Sequence, residues 1–186
     1  KLEKMAAFMQ KEPADIYYHQ VENFGRGNRR IRRSYQLREV DQLLERGSPL
    51  VPSATIIRRE LLEEYPFPER RDYVEDLPLW IRFLAAGKKF ALLTEVLGCY
   101  REGEGLTNNL GQHLLNVFNV LHDLHEEGLI DKRQMETAKR RKYLEAARYQ
   151  HKRKNFKEAE RYYSAADFKS MKIAGLRFLG WLGVPL

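Results

Sequence analysis

"VEDLPLWIRFLAAGKKFALLTEVLGCYR", residues 74–101, decides the fold because its apolar period changes partway along. Leu77, Trp80, Ile81 and Leu84 return at i, i+3, i+4 and i+7, which predicts a helix with one apolar face, and Gly87 is a natural stop. Beyond that glycine, "KKFALLT" and "EVLGCYR" predict two short strands. A helix handing over to strands is the pattern of an α/β sheet. In front of the helix stand Glu75 and Asp76. On one reading Asp76 caps the helix, Pro78 sits in its first turn, and the helix dipole favours the negative charge. On the other, the same rigidly aimed carboxylate accepts a proton from a bound hydroxyl. Capping does not exclude catalysis.

Upstream, helical and strand-like stretches alternate. "KLEKMAAFMQ" (1–10) places Leu2, Met5, Ala6 and Met9 on one helical face, and Pro13 ends the segment. "DIYYHQVENF" (15–24) reads as a strand and "GRGN" (25–28) as a turn. "LREVDQLLERG" (37–47) is a short helix closed by Gly47, and "LVPSATIIRR" (50–59) is β-branched and strand-like. "RELLEEY" (59–65) gives one or two helical turns, "PFPERRDYV" (66–74) a loop, and "EGEGLTNN" (102–109) a mobile polar loop.

From about Leu110 the pattern is almost purely helical, so the chain divides into residues 1–109 and an all-helical extension, 110–186. Leu114, Val117, Phe118, Leu121 and either Leu124 or His125 form one stripe that ends at Gly128. Residues 131–150 and 155–166 predict a helix pair, and "NFKEAERYYSAA" resembles the small-and-aromatic spacing of tetratricopeptide-like hairpins. The final "FKSMKIAGLRFLGWLGVPL" (168–186) suits either an interfacial helix on an anionic membrane surface or a stripe folded back onto the protein.

The composition, 43% hydrophobic and 32% charged over 186 residues, indicates a globular protein, and no apolar run approaches the roughly 20 residues that cross a bilayer. The expected place is the cytoplasm. Cys99 is the single cysteine, so no internal disulfide forms, and its setting in "EVLGCYR" suggests a buried structural thiol. A net charge of +7, with arginines at 26, 29, 30, 32, 33 and 38 and basic runs at 139–142 and 151–154, fits anionic partners. The aromatics do not interleave with these clusters, which argues against nucleic acid. A Walker loop, an Asp-x-Asp pair, a dinucleotide glycine fingerprint and zinc-type cysteine–histidine spacing are all lacking. His122 and His125, three residues apart on a helix, are a weak metal signal. Glu75 and Asp76 are too close in sequence to flank a glycosidic bond as a hydrolase pair.

Residues 51–109 carry an ordered set of pieces: "P-S-x-x-x-I-R-R", a Phe-Pro-Glu loop, the Glu-Asp pair, "L-x-L-W-I-R", an "A-x-G-K" turn and a strand ending in Tyr-Arg. In that order they resemble the acceptor-side half of the family 2 nucleotide-sugar glycosyltransferases, inverting enzymes of the A-type fold. The resemblance implies a partial nucleotide-diphospho-sugar transferase sheet with flanking helices, and an expectation that the nucleotide-binding half precedes Lys1. It implies that Asp76 is the general base, that Glu75 acts locally on the acceptor or loop, and that Tyr100 and Arg101 open a loop over the donor. It implies a nucleotide-sugar donor, a glycan or lipid-linked acceptor, and a divalent cation, magnesium or manganese, with ligands outside this chain. The half-domain alone is expected to be inactive and prone to self-association, because its sheet edges are open. The rival reading is a basic helical binding module for nucleic acid or an anionic membrane.

Overall fold

The computed structural model describes residues 1–25, 29–67, 74–101, 109–166, 175–177, 179 and 180. Most of the expected turn at 25–28, of the loop at 66–74, of the loop at 102–109 and of the C-terminal stretch lies outside them. The chain forms two compact units, Lys1–Asn109 and Leu110–Leu186.

The first unit is mixed α/β. Its elements are α1 (Leu2–Lys11), β1 (Ile16–Phe24), β2 (Arg30–Arg32), α2 (Val40–Arg46), a 3-10 turn (Pro52–Ala54), β3 (Thr55–Ile57), α3 (Arg59–Glu64), α4 (Asp76–Ala85) and β4 (Phe90–Arg101). β1 is the central strand. β4 pairs with it in parallel along one edge, while β3 at Ile16–Tyr18 and β2 at Val21–Asn23 pair antiparallel with it in tandem. The open sheet is therefore mixed rather than parallel. Ile16, Tyr17, Tyr18 and His19 are all buried in succession, as expected for a strand covered on both faces.

Met5 of α1 packs with Ala14, Tyr17 and Ala91, and Phe8, Met9, Ile56, Leu93 and Leu97 complete this layer. Leu2 is 73% exposed and Ala6 is exposed, so the apolar stripe of α1 runs through Met5, Phe8 and Met9 instead of the predicted face. In α4 the buried set is Pro78, Leu79, Trp80, Ile81 and Phe83, broader than the predicted stripe, with Leu77 and Leu84 half-buried. The C-terminal turn of α4 closes through Gly87, whose φ of 67° suits glycine.

β4 is one strand of 12 residues, not two. The sequence break at Thr94–Glu95 is a register shift: His19 pairs with Leu93, Gln20 with Val96 and Val21 with Gly98. The bulged residues leave the ladder without ending the strand. At the other end, the Lys89 carbonyl accepts from the N–H groups of Asp15 and Ile16 (2.9 and 3.0 Å), and Lys89 N–H donates to the Asp15 carboxylate (2.8 Å). That exchange fixes where β1 and β4 begin relative to each other.

Two polar side chains hold the segment between β2 and α2. The Tyr18 hydroxyl donates to the Tyr35 carbonyl at 2.6 Å and accepts from Leu37 N–H at 2.9 Å. The Gln36 amide donates to the Phe90 carbonyl at 2.5 Å and accepts from Leu92 N–H at 3.1 Å. One side-chain amide thus takes the place of a neighbouring strand on the outer edge of β4, where bare backbone would otherwise invite pairing.

The second unit contains α5 (Leu110–Glu126), α6 (Lys132–Lys152) and α7 (Phe156–Ala165). Asp131 caps α6 in a reciprocal capping box with Gln134. Ala147, Ala159 and Tyr163 form the α6–α7 seam, and Leu144, Tyr162 and Leu176 pack against it. Small residues let the two helices approach closely. Arg177 pairs with Glu160, and the position of a Cβ on Gly180 would lie 3.3 Å from the His151 ring. For these described residues of the C-terminal stretch, the contacts are those of a segment folded back on the α6–α7 hairpin. Among the described residues no helix is long and apolar enough to cross a membrane.

Candidate functional site

Glu75 occupies the N-cap position of α4 with helical φ and ψ (−64° and −25°) and its side chain makes no capping hydrogen bond. Asp76 is the first helical residue, not the cap expected from the sequence. Asp76 is half-buried, while Glu75 is exposed. Pro78 stands third in the helix, where its missing N–H would have had no intrahelical partner. Trp80 follows Asp76 by one turn and is 1% exposed, and its indole N–H has no partner among the described residues.

Tyr100 and Arg101 end β4, and both are exposed. Across the sheet, Tyr100 is level with Asn23 of β1 and Arg101 with Phe24. Two cation–π contacts hold them: the Arg101 guanidinium lies 5.5 Å from the Phe24 ring centroid, and that of Arg32 lies 5.9 Å from the Tyr100 ring centroid. Such contacts contribute on the order of 0.5–1 kcal/mol at exposed sites, enough to bias side-chain direction. The turn at Ala86–Lys89 leads the chain from α4 into β4. The two predicted pairs stand at the start of α4 and at the end of β4. Residues 68–73 and 102–108, which adjoin them, are not described.

Other sequence candidates resolve into structural roles. His125 Nδ1–H donates to the Ile130 carbonyl at 3.0 Å, and His122 is exposed. No three histidine, cysteine, aspartate or glutamate side chains converge on a cation position among the described residues. Cys99 is exposed, not buried: it is one of the last three residues of β4, all of them exposed.

One residue of interest escaped the sequence reading. His19 is 2% exposed, its Nδ1–H donates to the Gln20 carbonyl at 2.8 Å, and its Nε2 has no partner among the described residues. Burial lowers its pKa from the usual 6.5, the hydrogen bond to the Gln20 carbonyl opposes this, and the Lys1 side-chain ammonium acts in the same direction as burial. The available signal was a lone histidine inside the apolar run "IYYHQV".

A cavity of about 590 Å³ lies among Glu12, Arg38, Gly87, Lys88 and Lys89. It adjoins the starts of β1 and β4, and neither Asp76 nor Tyr100 lines it. Neither a protein-family model nor a curated protein matches the chain.

Proposed function

We propose that the chain is the acceptor-side portion of an inverting glycosyltransferase, moving a sugar from a nucleotide-sugar donor to an acceptor hydroxyl in the assembly of a surface polysaccharide or glycan. The observation that carries this reading is one α/β unit with Glu75–Asp76 at the start of α4 and Tyr100–Arg101 at the end of β4, a strand parallel to β1. The ordered motifs of residues 51–109 resemble the same part of that enzyme family.

In the proposed reaction Asp76 takes the proton of the acceptor hydroxyl while that oxygen bonds to the anomeric carbon. The bond from that carbon to the nucleoside diphosphate breaks, and the configuration inverts. General-base assistance of this kind is worth about 10²- to 10⁴-fold. A divalent cation would stabilise the departing diphosphate. The described residues offer no ligand set for one, so no step here depends on it. A cytoplasmic place goes with the reading, at the inner face of the plasma membrane where the acceptor is lipid-linked.

The test is Asp76→Asn in a protein that also carries the donor-binding half. Loss of transfer with an unchanged circular dichroism spectrum is expected. Near-normal turnover would remove Asp76 from the role of base.

A further inference from the structure

The sheet end that carries Tyr100 also carries two arginines that the proposed chemistry leaves unused. Strand pairing sets Arg30, Asn23 and Tyr100 in one row across β2, β1 and β4, and Arg32, Val21 and Gly98 in the next. Partners in a row share a face of the sheet, and so do alternate residues along a strand. Arg30, Arg32 and Tyr100 therefore project from one face. Successive rows on a face are roughly 7 Å apart and neighbouring strands about 4.8 Å apart, so two guanidinium groups can converge beside one ring. Gly98 puts no side chain into the row of Arg32, and Arg32 crosses the sheet diagonally to reach the Tyr100 ring.

Among the described residues the charges on this face are uncompensated. Arg32 donates to the Ser48 carbonyl at 3.3 Å, which uses one of its five N–H groups. Arg30 is exposed, and neither arginine has a carboxylate partner among the described residues. The acid on this hairpin, Glu22, lies in the row of Ile31 on the other face and is taken by Arg29 at 3.0 Å. Two neighbouring unpaired guanidinium groups repel each other, and an oxyanion between them relieves that repulsion. Their forked donors match the oxygens of a phosphate in bidentate fashion.

We infer that Arg30 and Arg32, with the Tyr100 ring beside them, form a binding site for a phosphate or pyrophosphate group. Under the glycosyl-transfer reading, on which this assignment rests, the group belongs to the acceptor, whether a phosphorylated soluble glycan or a lipid headgroup.

The experiment titrates the 186-residue chain with inorganic pyrophosphate while the Tyr100 ring resonances are followed by NMR, and separately measures co-sedimentation with phosphatidylcholine vesicles with and without phosphatidic acid. Saturable shifts at Tyr100 are expected, and Arg30→Gln and Arg32→Gln should each weaken binding about tenfold, the cost of one charge-assisted hydrogen bond. Lys152→Gln removes the same single charge elsewhere and should leave binding nearly unchanged. Pyrophosphate binding without retention on vesicles assigns the site to soluble phosphate. Arginine-dependent retention on phosphatidic acid assigns it to a headgroup. No saturable response of Tyr100 to either probe, or an equal loss in the lysine control, overturns the site. Because these readouts do not involve transfer, a silent Tyr100 alongside an essential Asp76 sinks the anion site alone. A responsive Tyr100 alongside a dispensable Asp76 keeps the site and sinks the transferase reading.

Discussion

Tyr18→Phe should destabilise the first unit by an amount that its hydrogen bonds define. The hydroxyl is fully buried and serves both Tyr35 and Leu37, and Leu37 itself is 1% exposed. Removing it strands one carbonyl and one N–H, each at about 1–3 kcal/mol, so a total of about 2–6 kcal/mol is expected. For a chain of this size that lowers Tm by roughly 10 °C. The pH dependence gives a second, independent signature. Burial pushes the Tyr18 hydroxyl from 10.0 up to about 12. Above pH 10 the unfolded chain loses this proton while the folded chain keeps it, so the contribution is complete below 10 and is lost as the pH rises through about 12. Each unit is worth about 1.4 kcal/mol. Urea unfolding of both proteins at about pH 8 and about pH 11 reads this out, and the raised Tyr65 and Tyr163 hydroxyls cancel in the comparison. The wild type should lose more stability than the variant between the two pH values. A variant within about 0.5 kcal/mol of wild type at the lower pH, or one with the same pH slope, would refute the buried two-way bond.

His19 predicts the opposite sign in acid. Its folded pKa lies below 6.5, so its contribution is present above that value and fades as pH falls below it; His19→Gln should flatten the decline in Tm between about pH 7 and about pH 5. Gln36→Ala should cost about 1–2 kcal/mol through its two bonds to β4, and hydrogen exchange at Leu92 should accelerate well before global unfolding. Cys99 is exposed, so a thiol reagent should modify it in the folded protein without denaturant; protection until unfolding would contradict the placement of β4.

Much of the fold is legible wherever the apolar period is long and unbroken. α5, α6 and α7 follow their 3.6-residue patterns, and β1 follows its run of "IYYHQV". The errors share a cause: the sequence shows side chains, whereas the ladder is made by backbone. Thr94–Glu95 looks like a strand break, yet β4 continues through it because β1 supplies partners on either side of the bulges. β3 is only three residues because pairing with β1 at Ile16–Tyr18 ends where the tandem arrangement with β2 begins. The setting "EVLGCYR" suggests a buried Cys99, but the last three residues of β4 are all exposed. The acids and Tyr100–Arg101 were legible as motifs, but Arg32 was not, since its contact with Tyr100 depends on two strand pairings and a glycine at position 98.

The position of Asp76 makes its substitution a cleaner test of chemistry than the capping reading allowed. A lost N-cap costs typically about 1 kcal/mol and frays the helix start, so an inactive variant could be attributed to a displaced loop. Glu75 holds the cap position and its side chain makes no capping bond, while Asp76 lies inside the first turn. Asp76→Asn preserves size and can still hydrogen-bond, and the charge it removes is worth about 0.3–1 kcal/mol to the helix dipole. Removing a general base costs about 10²- to 10⁴-fold in rate, equivalent to roughly 3–5 kcal/mol in the barrier. The two effects differ by several-fold and appear in different measurements. A drop in turnover of that size with a Tm shift of no more than a few degrees identifies the proton acceptor. A Tm shift with turnover preserved identifies a structural acid.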